Sequence, residues 1–183
     1  RGKLLKYEDV LDKIERNKPT SRVISVTDMY DHIMSYPIYA QIMECVKKRL
    51  FTKTFNIAIG IQRMGYDWRV LGKRLCVYDY TLCLDWSSFD MSIPEYLVFD
   101  AWRVIEDCFD MTDTKTYNYL NHLRSYFYTN VIHKIYHHDW YLFNIKKGIP
   151  SGSLWTSIIG SIINYIIIRK YFQTHKKLGI TNY

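Results

Sequence analysis

The sequence contains no run of the ~18 consecutive apolar residues that a membrane-crossing helix needs. Its longest apolar stretch, Leu154 to Ile168, is broken by Thr156, Ser157, Gly160, Ser161 and Asn164, and reads as a buried helix instead. Cysteine is sparse: Cys45, Cys76, Cys83 and Cys108 are scattered, with no CxxC pair and no adjacent histidine. That pattern argues against a disulfide scaffold or a zinc site and predicts free thiols in a reducing compartment. No repeat, low-complexity tract or Gly/Ser linker divides the chain, so it reads as one continuous unit. The opening RGKLLKYEDVLDKIER mixes both charges at helical spacing and has no apolar core of a signal peptide. Acidic residues are missing altogether after Asn164.

What is present points to a folded, basic chain. The 183 residues are 48% hydrophobic and 16% aromatic, enough for a buried core and unlike a disordered composition. The length suits one domain or an incomplete piece of a larger one. The formal charge of +7 favours an anionic partner such as nucleic acid or nucleotides.

Residues Tyr7 to Arg16 place Val10, Leu11 and Ile14 on one face of a short helix. Lys18-Pro19 ends it, because proline cannot continue the hydrogen-bond ladder. Ser21 to Val26 is β-branched and alternating, a strand pattern. Asp28 to Leu50 is helical, capped by Thr27 or Asp28, with Pro37 marking a kink or break. A poorly patterned region around Gly60 and Gly65 follows. Cys76 to Asp85 then reads as a strand ending in an acid. Pro94 opens a helix to about Phe109, and a second helix runs from about Thr112 to Tyr128. Two strand-like runs, Thr129 to His137 and Trp140 to Lys146, predict a hairpin across His138-Asp139. Gly148 to Ser153 is loop chemistry, and Leu154 to about His175 is a long apolar helix. The expected class is α+β, with more helix than strand.

Two constellations carry chemistry. The first is LCLDWSSFDMSIPE, where Asp85 closes an apolar segment and Asp90 follows beyond a turn-like WSS. Carboxylate oxygens suit Mg²⁺, which takes one or two of them plus substrate phosphates; the alternative is ordinary capping and turn chemistry. The second is KKGIPSGSLWTSIIGSIIN. There Ser151 and Gly152 offer small side chains, exposed amides and a hydroxyl before a helix N-terminus, and Thr156 lies in its first turns. Its alternative is a plain loop leading into a core helix.

In this order, D-x4-D followed by G-x-P-S-G-x3-T resembles motifs A and B of viral RNA-dependent RNA polymerases. The wording DWSSFDMSIP and GIPSGSLWTSIIGSIIN is most similar to the partitivirus and picobirnavirus groups of double-stranded RNA viruses. KPTSRVISV, through Lys18 and Arg22, is a looser match to motif F. The resemblance runs from Lys18 to about Lys170. It implies a fragment of a right-hand polymerase. Residues 1–75 would be a fingers segment including motif F. Residues 76–183 would be a palm segment with motifs A and B and an intervening fingers insertion, truncated before motif C.

The resemblance also implies roles. Asp85 would be the first catalytic aspartate, a ligand to the Mg²⁺ (or Mn²⁺) ions of two-metal nucleotidyl transfer. Asp90 would accept a hydrogen bond from the ribose 2′-OH, with Ser151, Gly152, Thr156 and Asn164 around the ribose and nucleotide. Lys18 and Arg22 would neutralise the triphosphate. One position departs: relatives carry Asn or Asp four residues after the motif B Thr, where this chain has Gly160, while Asn164, four further on, matches. Ribose discrimination then rests on Asp90, Ser151 and Thr156 alone, or is weakened. Motif C, the Gly-Asp-Asp-type turn supplying the second acid, is absent, as are motifs D and E. The expectation is an active parent polymerase and an inactive 183-residue piece.

Implied partners are template and nascent RNA, nucleoside triphosphates and a capsid protein, with the virion interior and host cytoplasm as location. The alternatives are a non-catalytic viral RNA-binding protein and a reverse transcriptase palm fragment, which usually carries a bulky gate where Asp90 stands. Among the remaining residues, Asp79 is a candidate outer acid. His137-His138-Asp139 reads as a solvent-facing hairpin tip, and the tyrosines and tryptophans read mainly as core.

Overall fold

The computed structural model describes residues 15–16, 25, 27–50, 52, 57–62, 64–80 and 82–175. The predicted helix at Tyr7 to Arg16 and the strand at Ser21 to Val26 lie almost entirely outside these, as do Lys18 and Arg22. The first long element, α1 (Met29–Arg49), begins where the Asp28 carboxylate accepts the Tyr30 N–H at 3.1 Å, an N-cap. Lys47, Lys48 and Arg49 complement its C-terminal dipole. Pro37 sits inside this helix without ending it.

Next come α2 (Tyr66–Leu75) and a single turn, α3 (Phe89–Ser92), entered through Ser88 at a left-handed φ of 52°. Pro94 is the N-cap of α4 (Glu95–Glu106) rather than its first helical residue. In α4 the buried Val98, Ala101, Trp102, Ile105 and Glu106 form one i, i+3, i+4, i+7 stripe. Asp113, rather than Thr112, caps α5 (Thr114–Phe127), whose Leu120, Leu123 and Phe127 face the core. The first strand starts later than predicted. Tyr128–Ile132 stays helical as a π turn, closed by His133 N–H on the Tyr128 carbonyl at 2.8 Å. The hairpin follows as β1 (Lys134–His138) and β2 (Tyr141–Ile145), antiparallel from Lys134↔Ile145 to His138↔Tyr141. Its two-residue turn is Asp139-Trp140, with Asp139 at φ 52°, a conformation Asp tolerates better than most residues. Last is α6 (Thr156–Thr174), burying Ile158, Ile159, Ile162 and Ile163.

The class is mixed helix and strand, helix-rich, with one small antiparallel sheet among the described residues. α4, α5 and α6 enclose the core, centred on Trp102, Phe127 and Trp155. Trp102 stacks on Phe127 at 4.4 Å and meets Trp155 edge-on at 5.2 Å. The polar edges of these rings are satisfied. Trp102 Nε1 donates to Glu106 at 2.7 Å, and Trp155 Nε1 donates to Ser35 Oγ on α1 at 2.9 Å. Arg124 holds the buried Glu106 with two bonds, 2.6 and 2.8 Å, so the carboxylate is paired rather than stranded.

One predicted element does not form. The described residues between Cys76 and Asp85 make turns, bends and irregular chain, not a strand. An isolated extended segment leaves its N–H and C=O groups without a ladder, and no described strand runs beside it. Val77, Tyr80, Leu82 and Leu84 are consequently exposed. Conversely, α2 forms in the region read as poorly patterned, although Trp68, Leu71 and Leu75 fall at i, i+3, i+7 and its apolar side is as well segregated as that of α4; it buries no residue. All four cysteines are free thiols, and all four are exposed. No helix among the described residues is long and apolar enough to cross a membrane.

Candidate active site

The GIPSGS loop is fastened on both sides. On one side, Gly148 N–H donates to the Ile93 carbonyl at 2.7 Å and Ile149 N–H to the Asp90 carbonyl at 2.6 Å, docking the loop on α3. Gly148 has φ +76°, and a Cβ there would lie 2.6 Å from the Asp90 carbonyl oxygen and 2.9 Å from Met91 Cα. Only glycine fits both the conformation and the approach. On the other side, Ser151 Oγ accepts the Ser25 N–H at 3.1 Å, and Thr27 Oγ1 donates to the Gly152 carbonyl at 3.4 Å. Ser25 Oγ in turn meets Tyr136 OH on β1 at 2.5 Å. Thr156 Oγ1 bridges to the Pro150 and Ser153 carbonyls at 2.6 and 2.9 Å, pinning the loop to the start of α6.

Beneath this loop an open cleft of about 370 Å³ separates the Asp85–Phe89 segment from α6. Its lining joins Asp85, Trp86 and Phe89 to Thr156, Ser157, Gly160, Ser161 and Asn164. The two constellations, 66 positions apart between Asp85 and Ser151, are therefore brought face to face. Trp86 Nε1 donates to Asn164 Oδ1 at 2.7 Å across the cleft, and Trp86 stacks near Phe89 at 6.2 Å. Gly160 faces Phe89, whose Cε1 lies 3.6 Å from where a Cβ would stand, an ordinary contact.

Of the predicted site residues, Asp85, Thr156 and Asn164 share the cleft. Asp90, Ser151 and Gly152 do not line it; they form the docked loop and turn at its edge. Asp79 is exposed on a turn and is not among the lining residues. No three His, Cys, Asp or Glu side chains among the described residues are grouped to hold a metal ion. The donor set of the cleft is nonetheless oxygen-rich. One exposed carboxylate with three hydroxyls and an amide fits a Mg²⁺ that keeps waters and substrate phosphates, though not a two-ion cluster by itself.

Three features escaped the sequence reading: the steric demand at Gly148, the Trp86–Asn164 bridge, and Lys134. Lys134 is 6% exposed, and its ammonium donates to the carbonyls of Val131, Lys147 and Gly148 at 3.3, 2.7 and 2.9 Å. Burial pulls its pKa down to about 8. A lysine at a strand start carries no signal of burial, whereas Gly148 within GIPSG could have been flagged as a close-approach glycine.

The profile of the family described as viral RNA-dependent RNA polymerase matches residues 10–181. The RNA-directed RNA polymerase of Cryptosporidium parvum virus 1 is 39% identical over 83 residues, 45% of this chain and 15% of that protein. The RNA1 polyprotein of Raspberry ringspot virus is 25% identical over 176 residues, 95% of this chain and 7% of the polyprotein. The genome polyprotein of Human parechovirus 2 is 28% identical over 162 residues, 86% of this chain and 6% of the polyprotein. The matches thus span at most 15% of the length of these relatives. No solved structure matches the chain significantly. With the profile covering nearly all of its length and the two constellations meeting in one cleft, the chain belongs to the viral RNA-dependent RNA polymerase family.

Proposed function

We propose that this chain is the part of a viral RNA-directed RNA polymerase that holds the first catalytic acid and the nucleotide-selecting loop. The parent would extend an RNA 3′-OH on an RNA template. The observation that carries this reading is the convergence of Asp85 with Thr156 and Asn164 in one oxygen-lined cleft beside the fastened GIPSGS loop. Match to the polymerase of a double-stranded RNA virus supports the same affiliation. Residues 1–75 are assigned to the fingers and 76–183 to the palm with its insertion, working with RNA, nucleoside triphosphates and a capsid protein in the virion and host cytoplasm.

Asp85, open to solvent at the cleft edge, is the ligand for divalent cations. Such cations would supply positive charge that favours ionisation of the attacking 3′-OH and offsets the charge on the departing pyrophosphate. Asp90, on the turn the loop docks against, accepts the ribose 2′-OH; a deoxynucleotide cannot make this hydrogen bond and is disfavoured. Ser151 and Gly152 face the nascent pair, and Thr156 keeps the loop closed on α6. Asn164 steers Trp86 and so orients the backbone next to Asp85. Lys18 and Arg22 neutralise the triphosphate.

The test is Asp85→Ala in the full-length parent. Loss of one metal-binding carboxylate should lower RNA synthesis by at least ~10²-fold, several kcal/mol of transition-state stabilisation. Unchanged synthesis would sink the reading and favour a non-catalytic RNA-binding protein, which loses little when one acid is removed. Asp90→Ala in the same parent should narrow the preference for ribonucleotides over deoxyribonucleotides.

A further inference from the structure

Lys134 is a buried cation whose three donors all end on backbone carbonyls. Two of those carbonyls, Lys147 and Gly148, are consecutive. In a trans peptide the C=O and the following N–H point in opposite directions, and the described residues contain no cis bond. The peptide joining Lys147 to Gly148 is therefore held at both ends: its carbonyl on Lys134 Nζ at 2.7 Å, its N–H on the Ile93 carbonyl at 2.7 Å. The next peptide repeats the arrangement, with the Gly148 carbonyl on Nζ at 2.9 Å and Ile149 N–H on the Asp90 carbonyl at 2.6 Å.

Neighbouring carbonyls in extended chain point to alternate sides. Here two in a row face one cation and two N–H groups in a row face α3, which the positive φ of Gly148 makes possible. Without a cation to gather them, two carbonyl dipoles side by side, one buried and one partly buried, repel each other. The ammonium sits at the start of β1 and touches neither Asp85 nor the cleft lining. Its reach to the site runs through the two clamped peptides to the backbone of Asp90.

From this we infer that Lys134 is a positioning residue for nucleotide selection: it locks the orientation of the two peptides flanking Gly148, and thereby sets Asp90 against the Ser151-Gly152 loop. The consequence for selection rests on the polymerase reading above; the lock itself does not. A lysine suits the task because its charge is satisfied by carbonyls alone, adding no acid behind a site that must attract metal and phosphate.

The experiment uses the full-length parent with Lys134→Met, which keeps the length of the stem and removes the donors, and Lys134→Gln, which keeps two donors. Backbone hydrogen exchange in peptides spanning residues 147–150, and the ratio of ribonucleotide to deoxyribonucleotide incorporation, are measured together. Lys134→Met should speed exchange in those peptides by about tenfold, the size of one lost hydrogen bond to a charged group. It should also lower the sugar ratio while leaving α5 peptides unchanged, with Lys134→Gln intermediate. If Lys134→Met does not fold, the Gln variant carries the comparison alone. Unchanged exchange at 147–150 overturns the lock. Faster exchange with an unchanged sugar ratio, or equal losses for both sugars, overturns the positioning role and leaves Lys134 structural. A parent with no RNA synthesis defeats the polymerase reading, and the exchange data still decide the lock.

Discussion

Asp31 shows how one buried group couples stability to pH. It is 2% exposed in the first turn of α1; Oδ1 accepts from Ser35 Oγ at 3.3 Å, while Oδ2 has no hydrogen-bond partner. Burial pushes its carboxyl above the ordinary value near 3.8, and the nearby hydroxyls of Thr27 and Ser35 only partly offset this. Within the window between the ordinary and the raised value the folded chain binds more proton than the unfolded one. Stability therefore falls as pH rises through that window, and the penalty is fully present above it. Asp31→Asn removes the charge and should gain about 1 kcal/mol at neutral pH, a melting point some 2–4 °C higher for a chain of this size. The gain should shrink as pH falls through the raised value, where the native Asp31 is itself protonated. A variant that melts lower than the native chain at pH 7 would count against this account.

Among the elements, the loop-to-α3 contact is the most demanding. Gly148→Ala places a methyl 2.6 Å from a carbonyl oxygen and 2.9 Å from a Cα, backbone atoms that cannot swing aside, at a φ that penalises any side chain. Urea unfolding should show a loss of about 2–4 kcal/mol. Gly72→Ala in α2, with nothing within 4 Å, is the control and should be neutral or stabilising by up to ~1 kcal/mol. Equal effects would refute the steric argument. Element by element, what could be read from the chain follows from what is local. Val98 through Glu106 and Leu120 through Phe127 write their helices in their own spacing, and Asp28 and Pro94 announce helix starts. The Cys76–Asp85 strand failed because alternation describes a face, while a strand also needs a neighbour that no local pattern supplies. For α2 the helical spacing of Trp68, Leu71 and Leu75 was present in the sequence, though none of its residues is buried. At the site, residue type and order pointed to Asp85, Thr156 and Asn164; the docking of Gly148 and the bridge from Trp86 depend on contacts between segments far apart in sequence.

For the molecule as a whole, the number of acids matters more than the fold. Asp85 stands in its cleft with no second carboxylate in the lining, and the stretch beyond Asn164 holds no Asp or Glu. The 183 residues alone should therefore give no Mg²⁺-dependent product in primer extension, while still binding RNA through their net charge of +7 with an affinity that falls steeply as salt rises. Product from the isolated chain would contradict this. The strandless segment leading to Asp85 has a further, physical consequence. Val77, Tyr80, Leu82 and Leu84 project from backbone that no described strand covers, which is the chemistry of a self-templating sheet edge. Concentrated solutions of the chain should lose solubility through this stretch first, by cross-strand pairing between copies. A lysine in place of Leu82, away from the cleft lining, is the conservative remedy.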